Sequence, residues 1–208
     1  MKIRTLLAVA LLAPAVALAA PASKGAKPPA KEAAVEGSQG STDGLSLGGF
    51  LGYETDSLAG VSLRVDGELP FRELSPQLKL SWVGSIGYSR LTKDVSFFGI
   101  GLSTTANILK VIPSARFTLP INSELSVFGD AGLGLYYARV SSETFDIFLG
   151  EKVSGTDSRV SLLMRLGVGG WYAVNPKLRV GAMLEFDPYF GDFDQNTFIF
   201  QIGAMFGM

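Results

Sequence analysis

Arg64, Asp66 and Glu68 follow one another at every second residue, so in an extended chain the three side chains share one face. Two carboxylates at that spacing could divide a general acid and a general base between them, the minimal equipment for proton transfer or hydrolysis. The flanking Arg64 points instead to a salt-bridge network. Histidine and cysteine are absent. Their absence removes the usual general base, the commonest metal ligand, a thiolate nucleophile and any disulfide framework. No phosphate loop, nucleophile motif or metal-ligand spacing occurs either. An enzyme is not expected, and no cofactor or metal is implied.

The remaining candidate charges obey the same alternation. Lys79, Lys110, Arg116, Arg165 and Arg179 join Arg64, and Asp130, Glu185 and Asp187 join Asp66 and Glu68, always on the same side of their segments. Eight segments must position them: 45–54, 61–71, 78–88, 109–119, 125–137, 160–172, 178–187 and 197–208. In each, apolar residues fill the opposite face at period two, as in Leu125, Val127, Gly129, Ala131, Leu133, Leu135 and Tyr137. No charge interrupts an apolar face. A charge facing lipid at mid-membrane costs about 2–4 kcal/mol in a barrel, and a soluble sheet has no comparable reason to segregate its two faces so strictly.

The connections fall into two classes. Residues 72–77, 120–124 and 175–177 are short and rich in Pro, Asn or Ser, whereas 89–107, 140–159 and 187–196 are longer; 54–60 is the shortest of that second set. Alternating short turns and long loops predict an all-β, antiparallel, up-and-down eight-stranded transmembrane β-barrel over 45–208, with its short turns in the periplasm. Tyr53, Tyr88, Tyr137 and Phe186 then fall toward the outer interface, and Phe71, Tyr172 and Phe206 toward the inner one. Pro113 lies inside the fourth segment and predicts a bulge. Trp82 falls in mid-strand, away from either girdle. The apolar run 95–102 suggests a hairpin that continues beyond the membrane.

Ahead of the barrel, Lys2 and Arg4, a short apolar core from Leu6 to Leu18, and Ala17-Leu18-Ala19 predict a cleavable signal peptide over 1–19. Residues 20–44 are an Ala/Pro/Lys-rich flexible periplasmic segment, in which Lys24, Lys27 and Lys31 could touch an anionic surface. The overall net charge of −1 gives no reason to expect nucleic acid as a partner.

The sequence ends Gln201-Ile202-Gly203-Ala204-Met205-Phe206-Gly207-Met208. This resembles the C-terminal signal read by the barrel-assembly machinery: Gln201, Gly203 and Phe206 match its polar, glycine and aromatic positions, and Met208 replaces its terminal aromatic. With eight strands, the chain is similar to the small outer-membrane barrels of the OmpA/OmpX type. The resemblance implies residence in the bacterial outer membrane, contact with outer-membrane lipids, and assembly by that machinery. Relatives of this type often append a peptidoglycan-binding domain, which is not expected where the sequence ends at its last strand.

Eight strands leave an interior just wide enough for side chains to fill. Near-equal opposite charges there should pair, giving a polar plug and a protein that acts structurally or through its extracellular loops: membrane integrity, adhesion or partner docking. Two alternatives stand beside this reading, a narrow ion or small-solute channel and a soluble lipocalin-like lipid carrier with its apolar face turned inward. In the loop 140–159, Phe145, Ile147 and Phe148 form an apolar patch that could contact a surface partner by β-augmentation, or belong to a hairpin that simply continues its strands.

Overall fold

A computed structural model describes residues 44–55, 57–75, 77–97, 100–146, 151–191 and 196–208. The signal-peptide reading and nearly all of the 20–44 segment lie outside these residues. Eight strands follow in chain order: β1 (Ser46–Thr55), β2 (Ala59–Ser75), β3 (Leu78–Phe97), β4 (Ile100–Pro120), β5 (Leu125–Asp146), β6 (Glu151–Asn175), β7 (Leu178–Pro188) and β8 (Asn196–Gly207). Each is antiparallel to the next, and β8 returns to β1 along a seam from Ser46↔Gly207 to Thr55↔Phe198, closing the barrel. Closure gives every strand two neighbours at membrane level and abolishes free edges there.

Period-two alternation translates directly into inside and outside. Leu133 is 64 % exposed on the outer wall, whereas Leu163, the same residue type on the inward face of the next strand, is 0 % exposed. The uncharged face is therefore the outer surface, the reverse of a lipocalin-like carrier.

Two of the short connections are closed by asparagine. Asn122 Oδ1 accepts from the backbone N–H groups of Glu124 and Leu125, and Asn175 Oδ1 accepts from those of Lys177 and Leu178. Trp82 pairs across from Leu69 and lies edge-on to Phe71 at 5.9 Å, so it belongs to the aromatic girdle at the turn end rather than to mid-membrane. The bulge predicted at Pro113 is not formed. Val111↔Leu135 and Ser114↔Gly132 share one register, so the proline interrupts the ladder with β5 without inserting a residue. Register shifts occur instead near the turn end, between Pro70 and Arg72, Glu73 and Ser75, and Ala173 and Asn175.

The long loops need the larger correction. Most of 89–107 and 140–159 is strand, because β3 and β4 stay paired to Phe97↔Ile100 and β5 and β6 to Asp146↔Glu151. Alternating Thr, Val and Ser residues suit that conformation. β6 has 25 residues, against the roughly 9–11 that cross a membrane. β2 ends opposite Thr92, and the ladder of β7 with β6 ends at Leu166↔Phe186, beyond which a single bridge joins Leu163 to Tyr189. The middle four strands thus rise past their neighbours as a projecting sheet.

Candidate functional site

The inward face is layered. At the turn end, Phe50, Phe128, Trp171, Met183 and Met205 form a buried cluster, with the Phe128 and Trp171 rings stacked at 5.2 Å. Glycines make room for it. A Cβ on Gly203 would lie 2.4 Å from Phe50, and one on Gly169 would lie 2.6 Å from Phe128. Below the cluster a cavity of about 300 Å³ opens at the turn end, lined by Glu68, Lys79, Thr118, Glu124, Trp171 and Arg179 among others.

Above the cluster lies a belt of buried charge. Arg116 is its hub: Nε and Nη2 grip the two Asp130 oxygens at 2.7 Å, Nη1 donates to Glu68 at 3.1 Å, and Nη2 also reaches Asp66 at 3.3 Å. Arg64 bridges Asp66, at 2.6 Å, and Glu185. Arg165 lies between Glu185 and Asp187, at 3.3 and 3.4 Å. Lys110 binds Glu54 at 3.0 Å and Asp187 at 3.3 Å. The belt is also fastened to the aromatic cluster, since the guanidinium groups of Arg64 and Arg116 each sit 4.5 Å from a ring centre, Phe50 and Phe128 respectively. Asp66 and Glu68 accept from arginines and do not stand as a free acid–base pair.

A second apolar cluster closes the hairpin end. It comprises Leu58, Leu91, Ala106, Ile108, Ile112, Tyr136, Ala138, Leu163 and Tyr189. The Tyr189 hydroxyl reaches down to Glu54 at 3.0 Å.

The structure brings together Arg64, Asp66, Glu68, Lys110, Arg116, Asp130, Arg165, Glu185 and Asp187. Arg179 sits lower, 3.6 Å from Glu68 and partly exposed. Lys79 is a correction: it lies in the turn-end rim, paired at 3.6 Å with exposed Glu73 and away from the belt. The register shifts between β2 and β3 set these two side chains beside each other at the rim. Sequence reasoning missed Glu54 and Tyr189, which fall at the boundaries of expected loops although Glu54 keeps the period of β1. It also missed both apolar clusters; alternation assigns Phe50 and its like to the inner face, but a lumen read by its charges hides them.

Along β8, Gln201 points inward and donates to Ser62 Oγ at 3.4 Å, Gly203 faces Phe50, and Phe206 and Met208 lie on the outer wall. Phe145 lies in β5, while Ile147 and Phe148 are outside the described residues. On the projecting sheet, Arg159 holds Asp157 at 2.7 Å and keeps that exposed carboxyl below the usual carboxylate range.

No curated protein matches this sequence. Among solved structures, Neisserial surface protein A aligns with a TM-score of 0.51 at 15 % identity, covering 79 % of this chain and 96 % of that one. Ail, the attachment invasion locus protein of Yersinia pestis, aligns with a TM-score of 0.44 at 14 % identity, covering 78 % and 95 %. The outer membrane enzyme PagL gives 0.48 at 12 % identity, covering 78 % and 99 %. The first of these likenesses supports the fold. The outer membrane protein beta-barrel domain family matches residues 5–206, nearly the whole sequence. A closed ring of eight antiparallel strands whose outer wall is uncharged between its two aromatic rows agrees with that match, and the chain belongs to the outer membrane β-barrel family.

Proposed function

We propose that this protein is a sealed, non-enzymatic outer-membrane barrel that works as a platform, presenting its projecting sheet for docking to an extended segment of a surface partner. The observation that carries the reading is the pair of strand edges created where the middle strands outgrow their neighbours. Among the described residues, β3 has no strand partner on its β2 side over 93–97, and β6 has none on its β7 side over 151–160. Unpaired backbone donors and acceptors on a strand edge are a template for adding another strand. The β6 edge contains no proline to block pairing.

Against a channel stand two apolar clusters, one at each end of a charge belt whose members hold one another. Planar-bilayer recording on refolded full-length protein tests the seal. Silence is expected, and stable unit currents would overturn it. Docking is tested by cells displaying either the intact protein or a form lacking residues 143–154. The shortened form should assemble normally but lose retention on protein-coated surfaces; equal retention would remove the platform reading.

A further inference from the structure

On the outer wall at the hairpin end, the aromatic girdle is a straight cross-strand row. Tyr88 pairs with Leu109, Leu109 with Tyr137, and Tyr137 with Val160, and all four are exposed. The next outward-facing row above it reads Arg90, Asn107, Arg139 and Ser158, joined by the pairings Arg90↔Asn107, Asn107↔Arg139 and Arg139↔Ser158. Two arginines therefore flank one asparagine, about 10 Å apart across two inter-strand spacings. Long side chains at that separation can converge on one group lying over Asn107.

Arg90 and Arg139, the two charged members of the row, are donors only. Arg90 and Arg139 are exposed, and neither has a carboxylate partner among the described residues. The Tyr88 hydroxyl donates to Asn107 Oδ1 at 2.7 Å, which engages the amide oxygen and leaves its NH₂ as a donor beside the two arginines. The nearest acidic residues on this face, Asp94 and Glu143, lie two rows higher, about 13 Å along the strands. Below the row, the apolar wall continues through Ile86, Val111 and Leu135.

We infer that Arg90, Asn107 and Arg139 form a binding site for the phosphate of a membrane lipid headgroup, whose acyl chains lie against the apolar wall beneath. A ligand with acceptors at one end and hydrocarbon at the other satisfies both rows at once. The site rests on the outer wall facing lipid and is independent of the docking platform.

Native mass spectrometry of the folded full-length protein in detergent, titrated with dimyristoyl phosphatidic acid, tests it. One tight adduct is expected, preferred over dimyristoyl phosphatidylcholine. R90Q and R139Q should each weaken it about fivefold, and the double variant should erase the preference. R72Q, at the opposite rim, should leave affinity unchanged. Both site arginines are exposed, so the variants should keep the heat-modifiable gel migration of a closed barrel; its loss in the unsubstituted protein would count against the barrel rather than the site. Wild-type affinity in the double variant, or in R90E/R139E, overturns the proposal, as does equal binding of the two lipids. Displacement by inorganic phosphate at equal concentration would also overturn it, by marking a site for free anion.

Discussion

Arg116 is 0 % exposed and engages three carboxylates while lying against Phe128. Such a hub behaves differently from a surface ion pair, because removing it strands partners that water cannot reach. Replacing it with methionine, R116M, should cost about 3–5 kcal/mol of stability, measured by urea unfolding of the refolded protein. K79M, which breaks a rim pair with exposed Glu73, should change stability by less than about 1 kcal/mol. The belt residues were legible in the sequence because a charge at every second position advertises one face. Glu54 and Tyr189 were not, since each sits where a strand gives way to a connection and periodicity alone does not fix the boundary.

At the scale of the element, the β1–β8 seam depends on a missing side chain. Phe50 occupies the space in front of Gly203, and Gly49 O would lie 2.5 Å from a Cβ there. G203V should cost about 1–3 kcal/mol and reduce the fraction of protein showing heat-modifiable migration, because both the ring and the backbone would have to move. Strand identity, order and facing were legible from alternation. Strand length was not: Thr and Ser on both faces of 89–107 and 140–159 look like loop composition, yet pairing within two long hairpins keeps these residues extended. Pro113 misled in the other direction, since a proline can leave a gap in a ladder without shifting its register.

For the whole molecule, the outer wall must match the solvent around it. L133R, at an exposed leucine of the outer wall of β5, should cost about 2–4 kcal/mol when unfolding is measured in lipid vesicles. An inward charge at this depth, such as Arg165, is instead offset by its carboxylate partners. The closed topology followed from an even number of amphipathic strands without a free edge at membrane level. The two buried apolar layers inside it did not, because they depend on which inner side chains meet across the barrel, and only the register decides that.

The uneven rim also determines where a mechanical load would travel. A tether pulling on the projecting sheet would deliver its force into β3 to β6, whose hairpins carry the longest ladders in the molecule. The ten-residue β1 and its joint with β8 lie on the far side, shielded from the tug. Shear along the long hairpins must break many bonds together, so a cell hanging by this protein would strain its anchor where it is strongest and leave the join between first and last strand at rest.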